Sequence, residues 1–186
     1  QEMGVQHVIA RAKNLMLAPE FPPNLAISLG AVAVSPLNMA QTYTAFANEG
    51  KVSSPRMITS IQGPWGNTIY DAPPEHVEAI SPQNAYVMAN LLKGVVATGT
   101  GRKAQVLERP LGGKTGTTNN YTNAWFCGFT SDLTAAVWVG FDRPAMIADK
   151  AYGELKAGNC FVVSEYSSAF GDGRSQYQLT LQDELE

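Results

Sequence analysis

The segment Gly112-Gly113-Lys114-Thr115-Gly116-Thr117-Thr118 sets a lysine and neighbouring hydroxyls on a glycine-flanked run that leads into an apolar region. Those residue types suit acyl transfer, which must deprotonate a hydroxyl, hold a scissile carbonyl and stabilise the oxyanion that develops. An extended Lys-x-Gly-x strand serves the last two tasks, because its backbone edge can pair with a peptide-like substrate as an added strand. Alternation puts Lys114 and Gly116 on one face and Thr115 and Thr117 on the other. Gly116 leaves room for close approach to the backbone. Lys114 brings a positive charge, and the hydroxyls can donate to an anion, each charge-assisted contact contributing about 1.5–3 kcal/mol. A nucleophile is harder to find: no serine stands three residues before a lysine in the 186 residues. By itself Lys-Thr-Gly arises by chance in a chain this long on the order of a few per cent of the time. It would then be a solvated lysine at a turn. The surrounding elements decide between the two.

Several elements could hold this segment in place. Val5, Val8, Ile9, Ala12 and Met16 recur at helical spacing and predict a first helix over residues 3–16, closed by Pro19, Pro22 and Pro23. Ser35-Pro36 and Ser81-Pro82 are helix starts, each with a hydroxyl at the N-cap and proline in the first turn. Leu37, Ala40, Thr44 and Ala47 share a face of the second helix, beside Met39, Tyr43 and Phe46, with Gly50 as its stop. Ala85, Met88, Leu92, Val95 and Val96 line the third helix until Thr98-Gly99-Thr100-Gly101 breaks it. Residues 56–62 and 68–70 are short strand-like runs around a Gly63-Pro64-Trp65-Gly66-Asn67 loop. Two longer strands follow Lys114, over residues 124–131 and 133–141, and both their faces are apolar. Such a hairpin is expected at the centre of a sheet covered on both sides, with Gly128 and Gly140 at points of close approach. The expected class is α+β: an antiparallel β-sheet around residues 111–142, flanked by helices.

Composition narrows the function. With 45% apolar residues the chain can build one solid core, and a charged fraction of 16% is low enough that more protein could cover part of its surface. A net charge of −3 without a basic run argues against nucleic acid. No apolar stretch approaches the ~20 residues of a membrane span, and the N-terminus lacks a signal-peptide pattern. Cys127 reads as buried apolar filler, a disulfide to Cys160 requiring an oxidising compartment and suitable geometry. His7 and His76 have no metal-ligand or triad companion at a recognisable spacing, so neither a metal nor a cofactor is expected.

The motifs taken together carry a resemblance. Asn24-Leu25-Ala26-Ile27-Ser28-Leu29-Gly30-Ala31, Ser35-Pro36-Leu37-Asn38-Met39-Ala40-Gln41-Thr42-Tyr43 and Ala45-Phe46-Ala47-Asn48-Glu49-Gly50 resemble the penicillin-binding protein transpeptidase domain. So do Gly94-Val95-Val96 with Thr98-Gly99-Thr100-Gly101, Gly113-Lys114-Thr115-Gly116-Thr117-Thr118, and Ala124-Trp125-Phe126-Cys127-Gly128-Phe129-Thr130. Val137-Trp138-Val139-Gly140-Phe141-Asp142 is similar to the class A, bifunctional members. Coverage runs over roughly residues 3–145, in the family's order. The resemblance implies the penicillin-binding and serine β-lactamase-like fold, incomplete on this chain, in an enzyme that crosslinks peptidoglycan. It implies a periplasmic or extracytoplasmic site at a bacterial inner membrane, anchored through a part not present here. The implied partners are the peptidoglycan stem peptide, β-lactams, and the upstream part of the same domain. Carried over, Lys114 is the catalytic lysine, binding the substrate carboxylate and tuning proton transfer. Thr115, Gly116 and Thr117 line the substrate site, and the Thr117 N–H is half of the oxyanion hole.

The departures are specific. Neither Ser-x-x-Lys nor Ser-x-Asn occurs, and Asn123 stands where the family has aspartate. Residues 1–148 are therefore expected to be the C-terminal part of a transpeptidase domain. From about Asp149 the family's closing helix is not recognisable, and residues 149–186 are expected to be a divergent tail, with 160–166 and 176–182 forming a β-hairpin. Two other readings compete: a fragment of a serine β-lactamase or DD-carboxypeptidase, which shares the Lys-Thr-Gly strand, and a non-catalytic scaffold or binding domain. The missing Ser-x-x-Lys predicts that the isolated chain forms no covalent adduct with a fluorescent penicillin. A stable, β-lactam-specific mass shift on any of its serines would overturn that expectation.

Overall fold

The computed structural model describes residues 4–18, 20–147 and the backbone of 162–166. Helix α1 spans Val5–Asn14 and carries Arg11 and Lys13 in its last turn, opposite the negative end of the helix dipole. Helix α2 spans Pro36–Ala47, and its start is the expected one, with the Ser35 hydroxyl accepting from the Asn38 N–H at 3.1 Å. At its end α2 stops at Ala47, and the expected Gly50, at a φ of 91°, closes it by donating its N–H to the Ala45 carbonyl at 2.7 Å before a strand begins. Helix α3 spans Pro82–Thr98, with the Ser81 hydroxyl accepting from Asn84 N–H and Gly99 following as predicted. Short 3-10 helices at Leu25–Leu29 and Arg102–Leu107 add connections that periodicity did not indicate.

Among the described residues eight strands form three antiparallel sheets: β1 (Lys51–Ser53) with β4 (His76–Glu78), β2 (Ser60–Gln62) with β3 (Thr68–Asp71), and a main sheet. The main sheet has the order β5 (Gly112–Thr117), β6 (Asn123–Phe129), β7 (Thr134–Gly140), β8 (Val162–Tyr166). The β2–β3 and β6–β7 hairpins match the sequence reading, whereas β1 and β4 are too short to show a period. Strand β8 pairs with β7, Val137 lying opposite Val163. The other arm of the expected tail hairpin, residues 176–182, lies outside the described residues.

The core explains which face of the sheet is inside. Tyr43 and Ala40 of α2 and Leu92 of α3 pack on Cys127, Phe129 and Ala136, with Phe46 and Trp125 at the margin. Tyr43 meets Phe46 edge-on at 5.4 Å between centroids, an arrangement aromatic rings favour. Full burial of side chains of this size contributes about 1.5–3 kcal/mol each. Both helices therefore lie on the face of Trp125, Cys127 and Phe129. The opposite face, bearing Phe126, Val137 and Val139, is only half-buried, so the two-sided cover expected from the apolar pattern is one-sided among the described residues. The physical reason is supply. Those residues provide two long apolar helices, and α2 and α3 pack together in one layer.

A second cluster ties α2 to the small sheet through Ala45, Val52 and Ala79, with Leu15 and Met16 against it. At its centre the Thr44 hydroxyl, fully buried, donates to Gln41 C=O at 2.6 Å and accepts from Ser53 N–H at 2.9 Å. Thr44→Val keeps the shape and orphans the Ser53 N–H, so it should cost about 1–3 kcal/mol. Thr44→Ser should recover most of that. Urea denaturation of the domain measures both, and equal stability of the Val variant would mean that Ser53 has another acceptor.

Candidate active site

The parity of the β5–β6 ladder determines where each backbone group of the Lys-Thr-Gly segment points. Thr118 N–H donates to Asn123 C=O at 3.1 Å. Antiparallel pairs alternate between hydrogen-bonded and non-hydrogen-bonded, and the register pairs Thr117 with Ala124, Gly116 with Trp125, Thr115 with Phe126 and Lys114 with Cys127. Gly116 and Lys114 therefore bond to β6. Thr115 and Thr117 turn their N–H and C=O groups to the outer side, where β5 is the end strand of the sheet among the described residues. One contact bears this out directly: Lys114 Nζ donates to the Thr115 carbonyl at 2.6 Å.

The structure brings all four sequence-predicted residues onto this one strand. Lys114 and Thr117 are exposed, Thr115 and Gly116 half-buried. Lys114 and Gly116 lie on the face of α2 and α3, beside Cys127 and Trp125, and Thr115 and Thr117 lie on the other. The two preceding glycines allow the strand to sit this close to its neighbour. A Cβ at Gly113 would lie 2.7 Å from the Phe126 ring, and one at Gly128 would lie 2.9 Å from the same ring.

The loop after β5 is built by one hydroxyl. Thr118 Oγ1 accepts from the N–H groups of Thr122 (3.1 Å) and Asn123 (3.0 Å). Tyr121 takes a φ of 51° within that loop. Asn123 Oδ1 then accepts from the indole N–H of Trp138 at 2.9 Å, while its Nδ2 donates to Thr122 Oγ1 at 3.1 Å. An amide satisfies both neighbours, one as acceptor and one as donor. This is what asparagine does locally at position 123, where the family resemblance implies aspartate.

Two residues near the strand were not singled out as site residues in the sequence. Thr118 appeared only as part of the run, and Thr100 only as part of a helix stop. Thr115 Oγ1 donates to Thr100 Oγ1 at 2.8 Å and lies 3.5 Å from Lys114 Nζ. Glycine on both sides of Thr100 was the available signal. The histidines stand apart: His76 Nδ1 bonds the Ser53 hydroxyl at 2.9 Å in the β1–β4 sheet, and His7 is on α1. Among the described residues no three His, Cys, Asp or Glu side chains converge as a metal site, and no helix is long and apolar enough to cross a membrane.

Cys127 is buried as filler, as its sequence context indicated, and Cys160 lies outside the described residues. Burial pushes the Cys127 thiol up to about 12. Burial also raises the neighbouring Tyr43 hydroxyl, with proximity to Cys127 as the smaller cause. Opposite Lys114 in the ladder there is thus a neutral thiol.

The fold and motifs agree with known proteins. The penicillin-binding protein transpeptidase domain matches residues 22–161. Penicillin-binding protein 1A of Neisseria cinerea is 39% identical over 140 residues, 72% of this chain and 18% of that protein, so the chain spans under a fifth of the relative's length. The crystal structure of penicillin-binding protein 1A from Haemophilus influenzae superposes with a TM-score of 0.74 over 81% of this chain and 29% of that one, at 24% identity. PonA1 from Mycobacterium tuberculosis in complex with penicillin V is similar at a TM-score of 0.64 and 25% identity, covering 81% of this chain and 46% of that one.

The thiol provides a check on the packing. In a Cys160→Ser background, Cys127 should resist iodoacetamide at mildly alkaline pH until the domain unfolds, because the thiolate is the reactive form. The folded thiol holds its proton up to about 12 and the unfolded one loses it near 9.0, so stability should fall as pH rises through that window. Alkylation as fast as in denaturant would place Cys127 at the surface.

Proposed function

The chain belongs to the penicillin-binding protein transpeptidase domain family, and from that premise we propose that it supplies the Lys-Thr-Gly wall of a peptidoglycan DD-transpeptidase. The observation that carries this reading is β5 itself, an edge strand that presents Lys114 and turns the Thr115 and Thr117 backbone outward. In the proposed reaction a serine outside this chain attacks the penultimate D-alanine carbonyl of a stem peptide. The carbonyl oxygen becomes an oxyanion facing the Thr117 N–H. Collapse expels the terminal D-alanine, and an amine of a second stem takes the acyl group. β-Lactams acylate the same serine as mimics of that peptide.

Each residue has a distinct part. The stem peptide adds a strand along β5, using the outward groups of Thr115 and Thr117. Lys114 holds the terminal carboxylate and supports proton transfer from the nucleophile. Gly116 keeps the strand flat against Trp125: a Cβ there would lie 3.3 Å from the Trp125 Cβ. Residues 1–148 act as the C-terminal part of the domain, completed by the segment that bears Ser-x-x-Lys and Ser-x-Asn. The site of action is the outer side of a bacterial inner membrane.

Three variants of the intact protein separate these roles in stopped-flow acylation by a reporter penicillin. Lys114→Ala should slow acylation by roughly 10²–10⁴-fold, the span of a positioned proton-transfer group. Thr117→Val keeps the backbone donor and should be mild. Thr117→Pro removes that donor, and loss of one oxyanion contact costs about 2.7–4 kcal/mol, or roughly 10²–10³ in rate. A thermal melt controls for strand distortion by proline. A folded Lys114→Ala that acylates at the wild-type rate would make Lys114 a surface lysine.

A further inference from the structure

We infer that Thr100 is a positioning residue of the acyl-transfer site, fixing the Thr115 hydroxyl and, through it, the ammonium of Lys114. This inference rests on the reading of β5 as the substrate edge. Thr100 sits in the turn between α3 and the 3-10 helix at Arg102–Leu107. The backbone of that turn is committed to α3: the Gly99 and Gly101 N–H groups both donate to Val95 C=O, at 3.0 and 3.1 Å. Gln105 Nε2 donates to Val96 C=O at 2.8 Å and Ala97 C=O at 2.9 Å, satisfying carbonyls that a helix end leaves without partners. A Cβ at Gly99 would lie 2.9 Å from Val95 O. The turn is therefore built to hold one shape, and the side chain of Thr100, which is exposed, is what it extends toward β5.

The path of that contact is informative. Leu92 of α3 covers Gly112 on one face of β5, a Cβ there lying 3.2 Å from Leu92 Cβ. Alternation assigns Thr115 to the opposite face. The Thr100–Thr115 bond consequently passes around the outer edge of the strand, the edge on which the N–H and C=O of Thr115 point. Thr100 thus marks one limit of the edge that an acyl donor can occupy.

The direction of the hydrogen bond gives the contact a chemical role. A threonine hydroxyl has one proton and two lone pairs. The Thr115 proton goes to Thr100 at 2.8 Å, which leaves its lone pairs to face Lys114 Nζ at 3.5 Å. Deprived of Thr100, the Thr115 hydroxyl loses the acceptor that fixes its rotamer, and its lone pairs are free to swing away from the ammonium. Chains of this kind polarise one another: Lys114 donates toward Thr115, and Thr115 donates to Thr100.

The test uses the full-length protein that carries this chain and a reporter penicillin, with affinity and the acylation rate constant resolved by varying its concentration. Thr100→Val should lower the acylation rate constant by roughly five- to tenfold, the scale of one neutral hydrogen bond. Thr100→Ser should restore it to within about twofold, since it returns the acceptor. In a Thr115→Val background, Thr100→Val should add no further loss, because its effect runs through that hydroxyl. Wild-type acylation by Thr100→Val would overturn the inference, as would an undiminished loss in the Thr115→Val background. Lys114→Ala distinguishes the two levels. If it is slow while Thr100→Val is normal, only the role of Thr100 falls; if it is at the wild-type rate, the reading of β5 falls first.

Discussion

The bond from Thr118 N–H to Asn123 C=O sets the parity of the β5–β6 ladder, and the chemistry of the Lys-Thr-Gly segment depends on that parity. A slip of one residue would turn Thr115 and Thr117 inward and present the backbone of Lys114 and Gly116 to the outside. It would also reverse the faces, moving Lys114 across to the side of Phe126. The register is accordingly held at three places. Phe126 lies under Gly113 and Gly128, where no side chain fits. The Thr118 hydroxyl accepts two N–H groups of the connecting loop. Trp138 on β7 reaches across to Asn123 at the start of β6.

Those locks depend in turn on the core. Tyr43 and Leu92 press on Cys127, Phe129 and Ala136 from one side, so β6 is held by its apolar face, while β5 is held by its ladder to β6 and by α3 across Gly112. The arrangement separates two requirements. Central strands take the burial, and the strand proposed to meet a ligand remains at the margin with its outer groups turned away from the sheet. The β6–β7 turn follows the same economy of local bonds: Thr130 N–H donates to Leu133 C=O at 2.8 Å, and Thr130 Oγ1 donates to Asp132 at 2.8 Å. The Thr130 hydroxyl, with a smaller contribution from Arg109, lowers the Asp132 carboxyl below its ordinary value. That charge sits in a turn remote in sequence from Lys114 and serves the hairpin.

Much of this was legible in the residues, for identifiable reasons. Ser35-Pro36 and Ser81-Pro82 specify helix starts through a side-chain acceptor and a fixed φ, both purely local. The alternation of Trp125, Cys127 and Phe129 specifies a strand because period two is also local. The regular turns of α2 end at Ala47 with Asn48 as cap, and Gly50 still closes the helix through its bond to the Ala45 carbonyl, a stop that glycine makes legible. Strands β1 and β4 have three residues each, too few for a period. The candidate site divides the same way. Lys114 through Thr117 are contiguous and carry a recognisable pattern. Thr100 is 15 residues away from Thr115, and its place beside the strand follows only once α3 has been laid across Gly112.

An edge strand that accepts a ligand, the role proposed for β5, also risks accepting another copy of itself, since an exposed strand edge templates further pairing. Charge at the edge and covering loops oppose this, and β5 has both. The ammonium of Lys114 lies on the outward carbonyl of Thr115 at 2.6 Å, so an approaching strand must displace a cation before it can use that acceptor. The Thr100 turn closes over the hydroxyl of the same residue. A neutral strand offers the ammonium only another neutral acceptor in exchange. A peptide that ends in a carboxylate would offer more, because the ammonium could exchange a carbonyl for a charged oxygen, and hydrogen bonds between charged groups are roughly twice as strong as neutral ones. In the proposed site the contact that guards the edge would therefore also discriminate, by the charge of what arrives.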